Sequence, residues 1–178
     1  MPSSRTRETK ETRIEAFLNV EGQGQIEVKT GIELLDEILS AIGRGGGFDL
    51  KVMARGDTET GDHHTTEDVA ITLGSILADE VSGGIGSSTV PSCQSLATAA
   101  VRFGEPGYQG DFRLQANTLA GMDLENFGHM LRAFAYNGRF NLAISAKGGD
   151  DRSKIEAMST ALGRAIKRAA RDSLFSIS

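Results

Sequence analysis

The strongest constraint on the fold of this chain is that its sequence repeats itself. The segment GFDLKVMARG at 47–56 aligns without gaps with RFNLAISAKG at 139–148. A second pair of segments, HHTTEDVAITLG at 63–74 and RSKIEAMSTALG at 152–163, follows in the same order. Two copies of one unit should adopt the same local structure. A unit that exposes one face of its sheet gains stability when it buries that face by assembling with other units.

The two copies differ at residues that could carry chemistry. With EILSAI at 37–42 placed over HMLRAF at 129–134, the matched pairs are His63 with Arg152, His64 with Ser153, Glu67 with Glu156, and Glu37 with His129. The first copy therefore has a pair of adjacent histidines that the second copy lacks. Adjacent residues on a helix point about 100° apart, so two neighbouring histidines suit two different partners better than one.

The sequence pattern of each copy predicts the element order strand, strand, helix, strand, helix. GIELLDEILSAIG has its apolar residues on one face of a helix, whereas GFDLKVMA alternates as a strand does. Asp62 precedes the histidine helix and is expected to cap it. We predict an α+β fold made of two such repeats, residues 1–85 and 86–178, packed as one domain, with SGGIGSS as a linker.

The composition narrows the class of protein. Of the 178 residues, 39% are hydrophobic and 6% aromatic, and tryptophan is absent, so the core should be aliphatic. A net charge of −5 argues against a nucleic-acid partner, which needs a basic surface. The single cysteine, Cys93, cannot form an internal disulfide, and no apolar stretch approaches the roughly 20 residues of a membrane span. We therefore expect a soluble, cytoplasmic protein without a membrane partner.

The helix that begins near Asp62 carries the best candidate for a site. His63 and Glu67 are spaced i, i+4, and His64 and Glu67 are spaced i, i+3, so each histidine can share a helix face with the carboxylate. Imidazole and carboxylate are ordinary ligands of manganese, iron and zinc. Asp68 could orient a ligating histidine through a hydrogen bond. The same pattern also suits a capped helix start with two solvent-exposed histidines, so the residues alone leave both interpretations open.

Longer stretches of the sequence point to one known family. In chain order they are TKETRIEAFLNVEGQGQIEVKTGIELLDEIL, GGFDLKVMARGD, DHHTTEDVAITLG, VPSCQSLATAAV, HMLRAFAYN and KIEAMSTALGRAI. Together they resemble the imidazoleglycerol-phosphate dehydratases of histidine biosynthesis. The resemblance covers nearly the whole chain, in the order and at the spacing of that family.

The resemblance implies a fold, an assembly and an activity. It implies a four-stranded sheet and two helices in each half, and trimers that assemble into a shell of 24 subunits with active sites between subunits. Two manganese ions, or other divalent transition metals, would bind the imidazole of imidazoleglycerol phosphate as an imidazolate. They would stabilise the negative charge of the ring while water leaves the glycerol phosphate chain. His63 and His64 would serve different ions, Glu67 would complete a site, and Glu11 in the KET motif would be an acid/base glutamate.

Several positions of the family's metal ligands hold other residues here. Glu37 stands where the family's LDHML motif has histidine, and Ala143 stands where the second-half strand ends in histidine. Arg152 and Ser153 replace the second histidine pair, whereas Glu156 remains. Glu37 could substitute as a ligand. In place of the second metal we expect Arg152 to neutralise Glu156 through a bidentate contact.

The residues expected to bind the substrate phosphate are altered as well. The family has one arginine before VP and another in an SGRP motif, whereas this chain has glycine in GGIGSSTVP and Glu105 in FGEPG. A carboxylate repels a phosphate group. Gln94 stands where the family has an acidic residue after VP. The sequence therefore predicts that the phosphate site and the metal site are weakened together.

Three functions are compatible with these observations. The chain could be a working imidazoleglycerol-phosphate dehydratase with an altered metal set, a non-catalytic structural or binding homologue, or a one-metal lyase or isomerase acting on another small anionic ligand. Any metal should bind through His63 or His64 with Glu67, and Glu156 or Glu37 should supply the remaining oxygen. Two ions per chain would favour the first function, none the second and one the third. In each case the resemblance implies a homo-oligomer, a trimer or the 24-subunit shell.

Overall fold

The two halves of the chain contain matching sets of helices and strands. The computed structural model describes residues 2–56 and 61–175; Asp57, the last residue of the segment GGFDLKVMARGD, lies outside the described residues. The first half contains β1 (Ser3–Glu8), β2 (Thr12–Asn19), β3 (Ile26–Lys29), α1 (Glu33–Gly46), β4 (Asp49–Gly56) and α2 (His63–Glu80). The second half contains β5 (Ile85–Ser92), β6 (Ser95–Phe103), β7 (Gly107–Asp111), the short hairpin β8 (Thr118–Leu119) and β9 (Met122–Asp123), α3 (Glu125–Asn137), β10 (Phe140–Gly148) and α4 (Asp151–Phe175).

Each half forms a four-stranded mixed sheet of the same topology. The strand order is β1-β2-β4-β3 in the first sheet and β5-β6-β10-β7 in the second. In both sheets the last pair of strands is parallel and the other pairs are antiparallel. Leu50 of β4 and Leu142 of β10 each face an antiparallel strand on one side and a parallel strand on the other. The predicted α+β fold is confirmed, whereas the division between residues 85 and 86 stays a prediction.

The helices of one half pack on the helices of the other half. α1 packs on α4 and α2 packs on α3, and the matched glycines Gly163 and Gly74 lie at these two contacts. A Cβ atom at Gly163 would lie 2.0 Å from the carbonyl oxygen of Ile42, and one at Gly74 would lie 2.8 Å from that of Phe134. The glycines therefore permit a close approach that a larger residue would prevent. This approach brings the N-terminal turn of α2 against α3 and that of α4 against α1.

Within the described residues, one continuous hydrophobic core joins the two halves. Its strands contribute alternate residues, such as Ile14, Ala16 and Leu18 of β2, which are at most 4% exposed. Phe48 and Phe140, which precede or begin matched strands, are 2% and 0% exposed. Among the described residues, no helix is long and apolar enough to cross a membrane.

Strands with few apolar residues were the elements that the sequence did not predict. β1, SSRTRE, has no apolar side chain, yet it pairs along its full length with β2 at the sheet edge. Interpreting SGGIGSS as a linker was wrong, because residues 85–88 belong to β5. β5 carries small inward residues because α4 lies close to it; a Cβ at Gly86 would be 2.1 Å from the carbonyl oxygen of Ala165. The stretch DFRLQANTL is a strand candidate by sequence, whereas β7 spans Gly107–Asp111 and ends where that stretch begins.

Candidate metal centre

His63 is held at the first turn of α2 by a residue of α3. Its Nδ1 lies 3.0 Å from Oδ1 of Asn126, and Nδ2 of Asn126 donates to Oδ2 of Asp62 at 2.9 Å. Because Asn126 presents its carbonyl oxygen to the ring, Nδ1 of His63 must be the donor. The opposite ring nitrogen, Nε2, lies 3.5 Å from Oε2 of Glu67. The lone pair of Nε2 is therefore available beside a carboxylate.

His64 is held in a similar way by a residue from a different part of the fold. Its Nδ1 lies 2.5 Å from Oε2 of Glu11, in the turn between β1 and β2. An ionised carboxylate only accepts hydrogen bonds, so Nδ1 carries the proton and Nε2 is left without one in the neutral ring. The side chains of His64 and Glu11 are 51% and 53% exposed. Both nitrogens that could ligate are consequently accessible, as a binding site requires.

A third histidine completes a cluster at the same end of the two helices. The ring centroids of His63 and His64 are 5.7 Å apart, and those of His63 and His129 are 6.2 Å apart. His129 lies on α3, where its Nε2 is 4.0 Å from Oε1 of Glu125. The side chain of His129 is 58% exposed and lies beside the histidine pair. All three histidines of the chain therefore lie in one region.

The role of Asp68 differs from the expectation that it orients a histidine directly. Its Oδ1 accepts a hydrogen bond from Nε of Arg7 at 3.0 Å, and its Oδ2 accepts one from the hydroxyl of Thr12. Asp68 therefore fastens the β1–β2 hairpin to α2, and that hairpin carries Glu11. Direct contacts with the histidines come from Glu11 and Asn126 instead. Asn126 was not among the site residues predicted from the sequence. The feature that could have identified it is a polar residue next to Phe127 on the buried, mostly apolar face of α3.

The equivalent place in the second half is occupied by an ion pair. Nη1 of Arg152 lies 2.6 Å from Oε1 and 2.7 Å from Oε2 of Glu37, across the contact between α4 and α1. The expected contact of Arg152 with Glu156 is thus replaced by one with Glu37. Within the described residues, Oε2 of Glu156 accepts a hydrogen bond from the hydroxyl of Ser92 at the long distance of 3.4 Å. Arg152 cannot ligate a metal because its guanidinium stays protonated.

Ser153, which stands at the place of the second histidine, has become part of a helix cap. Its backbone N–H and its hydroxyl donate to Oδ1 of Asp150 at 2.8 and 2.7 Å. These hydrogen bonds, first from the hydroxyl and then from the backbone, lower the pKa of Asp150 below its ordinary value. Ser153 is 7% exposed, so neither its size nor its position suits a metal ligand.

The remaining altered positions lie elsewhere in the second half. Ala143 is exposed on β10, on the sheet face opposite to the core. Gln94 lies in the turn between β5 and β6 with φ 69°, and Glu105 lies exposed in the turn between β6 and β7. In a single chain the histidine pair therefore lies at the start of α2, whereas Glu37, Arg152 and Glu156 line one cavity between α1 and α4.

The donor atoms at the start of α2 fit part of a metal site. Two ligands about 2.1 Å from one ion, at tetrahedral or octahedral angles, are about 3.0–3.5 Å apart. The 3.5 Å between Nε2 of His63 and Oε2 of Glu67 agrees with a shared ion. In the described part of one chain, however, no group of three histidine, cysteine, aspartate or glutamate residues is arranged to hold a metal. A complete ligand set therefore needs further donors, which a second copy of the chain could supply.

Comparisons with known proteins all point to one family. Residues 30–166 match the family model described as imidazoleglycerol-phosphate dehydratase. The chain is 37% identical over 175 residues to the enzyme of that name from Methanothermobacter thermautotrophicus, covering 95% of this chain and 90% of the relative. It is 40% identical over 174 residues to the one from Chloroflexus aurantiacus, covering 93% and 84%. The crystal structure of imidazoleglycerol-phosphate dehydratase from Staphylococcus aureus is similar with a TM-score of 0.85 and 25% identity, covering 96% and 98% of the two chains.

Proposed function

Because this chain belongs to the imidazoleglycerol-phosphate dehydratase family, we propose that it binds one divalent transition metal ion, manganese in the first place, through His63 together with Glu67 at the start of α2. We further propose that it acts as a carbon–oxygen lyase on imidazoleglycerol phosphate. Its turnover is expected to be far below that of a family member with two complete metal sites. The observation that carries this proposal is the contrast between the starts of α2 and α4.

At the start of α2, each histidine is prepared to ligate. Nδ1 of His63 is held by Asn126 and Nδ1 of His64 by Glu11, so both Nε2 lone pairs are free. Hydrogen bonding of the other ring nitrogen is what fixes the orientation of ligating histidines in proteins. Glu67 supplies an adjacent carboxylate oxygen. We propose Glu156 of a neighbouring copy as a further oxygen ligand, because Glu37 is already neutralised by Arg152.

The ion and the side chains around it would have different roles in dehydration. A bound divalent ion supplies Lewis-acid stabilisation of negative charge on the substrate. Glu11 accepts the hydrogen bond from Nδ1 of His64, and its carboxyl group is exposed enough to accept a proton from the substrate and return it. Arg152 contributes a fixed positive charge, but unlike a metal ion it cannot coordinate an atom of the substrate. The second half therefore supplies electrostatic balance and no second Lewis acid.

The proposed site is completed by assembly of several copies. The candidate ligands at the start of α2 and Glu156 at the start of α4 do not form a metal-binding group within the described part of one chain. A site between copies would bring these residues together, and a closed symmetric assembly is the usual form of a homo-oligomer. We propose a trimer, or the 24-subunit shell built from trimers, as the state in which metal and substrate bind.

Metal content measured together with dehydration tests this function. The purified protein is incubated with Mn²⁺, its mass is determined by light scattering, its metal content by elemental analysis, and its activity with imidazoleglycerol phosphate. We expect an oligomer with one ion per chain and slow product formation. The variant with Glu37→His, Ala143→His, Arg152→His and Ser153→His should take up more metal and react faster, by roughly 100-fold or more.

The control for that variant carries the same four changes together with His63→Ala and His64→Ala. It should not reach two ions per chain, because the first site is then removed. Rapid turnover by the unaltered protein with two ions bound would contradict the proposal and indicate an ordinary dehydratase. An oligomer that binds no metal would instead favour a non-catalytic binding homologue, the alternative to which the Glu37–Arg152 ion pair also points.

A further inference from the structure

We propose that Asn126, held by Asp62, is a positioning residue that selects which ring nitrogen of His63 is available to a metal ion. The inference rests on the proposed function, because the choice of nitrogen matters only if His63 is a ligand. Asn126 acts through His63 and need not touch metal or substrate. It lies 63 positions along the chain from His63, on the other half of the fold.

Asp62 determines which way the amide of Asn126 points. Oδ2 of Asp62 lies 2.9 Å from Nδ2 of Asn126 and 3.1 Å from the backbone N of Asp123. A carboxylate only accepts, so the amide must present its NH2 group to Asp62. The reversed amide would set two acceptor oxygens against each other. The carbonyl oxygen consequently faces His63, and Nδ1 of His63 must carry a proton to donate to it.

The carboxylate of Asp62 is used for this contact at the expense of a helix cap. Asp62 occupies the N-cap position of α2, yet its side chain makes no capping hydrogen bond. Asp150 at the start of α4 does cap its helix, through Ser153. Asn126 itself is only 9% exposed, and a buried amide is unfavourable unless it is hydrogen-bonded. The side chains of Asp62 and Asn126 therefore serve to orient His63.

The consequence concerns a competition for the single proton of the neutral ring. Glu67 lies 3.5 Å from Nε2 of His63 and would accept a hydrogen bond from that nitrogen if it were protonated. A proton on Nε2 would block ligation, because only the unprotonated nitrogen has a free lone pair. The oxygen of Asn126 stabilises the proton on Nδ1 and so opposes the pull of Glu67. Without it, His63 would divide between a ligating and a non-ligating form.

The test uses nitrogen NMR of the histidine rings in metal-free protein at alkaline pH, where imidazole is neutral. The chain has three histidines, so their signals can be assigned. In the unaltered protein, His63 should show a protonated Nδ1 and an unprotonated Nε2. In Asp62→Asn, which keeps the size of the side chain, residue 62 can donate and the amide of Asn126 can turn. His63 should then shift towards protonation at Nε2, whereas His64, held by Glu11, should not change.

Manganese affinity provides the second measurement. Asn126→Ala and Asp62→Asn should each lower it by about 10–100-fold, the usual effect of removing a residue that supports a ligand. Asn137→Ala, on the same helix, removes a hydrogen bond to the carbonyl oxygen of Ala133 and should change neither the His63 spectrum nor the affinity. A His63 spectrum that stays unchanged in both Asn126→Ala and Asp62→Asn would overturn the inference. If the unaltered protein binds no metal, the proposed function fails, but the spectrum of metal-free protein still decides the role of Asn126.

Discussion

The starts of α2 and α4 occupy equivalent places in the two halves, yet their side chains are used in opposite ways. At the start of α4, Asp150 caps the helix and Arg152 is neutralised by Glu37, so the polar groups satisfy one another. At the start of α2, Asp62 makes no cap and two half-exposed histidines keep a nitrogen free. One half thus contributes local stability, and the other retains groups suited to bind a ligand.

The comparison shows what duplication of a fold permits. Both helices make a close helix–helix contact at a matched glycine, Gly74 of α2 and Gly163 of α4, each about three turns after the helix start. The backbone framework is therefore preserved while the chemistry differs. A framework that rests on buried glycine and aliphatic contacts tolerates exchange of the exposed residues at its helix starts. Function can then be concentrated in one of the two copies.

The largest difference that we predict between the two places is in metal binding. His63→Ala should lower manganese affinity by at least about 100-fold, because loss of a residue that merely supports a ligand already costs about 10–100-fold. The matched change at the start of α4, Arg152→Ala, should alter the affinity little. A competition titration against a fluorescent chelator measures both. Equal losses in the two variants would show that Arg152 is needed for metal binding as much as His63, which would contradict the contrast between the two helix starts.

Much of the contrast between the two helix starts could be predicted from the sequence, because it depends on the spacing of residues along single helices. The 3.6-residue period of GIELLDEILSAIG predicts α1, and the spacing of His63 and Glu67 places both on one helix face. The polar strand β1 and the Gly/Ser-containing strand β5 were missed because backbone pairing, and in β5 a nearby helix, determine them. Periodicity carries no signal for either cause.

The partners of the site residues were beyond the reach of sequence patterns. Asn126 with His63, Arg7 with Asp68, and Glu37 with Arg152 are separated by 63, 61 and 115 positions. Such pairs depend on which helices pack together, and alignment of the repeats does not specify that. This explains why Arg152 was assigned to Glu156 on its own helix. It also explains why the supporting role of Asn126 was not anticipated.

A smaller difference concerns the helix caps and depends on pH. Ser153→Ala removes the hydroxyl hydrogen bond to Asp150 and should lower Tm by about 2–4 °C at neutral pH. The pKa of Asp150 is lowered in the folded protein, first by the Ser153 hydroxyl, so its contribution is complete above the ordinary value of 3.8. It is lost as the pH falls through the lower folded-state value, because the carboxylate is then protonated in both states. The difference in Tm between Ser153→Ala and the unaltered protein should therefore shrink in acid.

The control for that measurement is Ser159→Ala on the same helix. Its hydroxyl donates to the carbonyl oxygen of Ile155, which does not titrate. The loss of Tm in Ser159→Ala should therefore be the same at neutral and acidic pH. A pH-independent loss in Ser153→Ala would show that its hydroxyl contributes through packing and not through the carboxylate of Asp150.

The smallest predicted effect is the contribution of the Glu37–Arg152 ion pair to stability. Their side chains are 39% and 47% exposed, and one guanidinium nitrogen contacts both carboxylate oxygens, which is not the parallel two-nitrogen geometry of the strongest pairs. A double-mutant cycle with Glu37→Gln and Arg152→Gln, followed by urea unfolding, should give a coupling free energy of about 0.2–1 kcal/mol. That coupling should fall in high salt, because exposed charges are screened. This range applies to the dissociated chain. In the assembled protein, where we propose that Glu156 of one copy meets the start of α2 of another, a larger and salt-independent coupling would show that the contact between copies removes the pair from water.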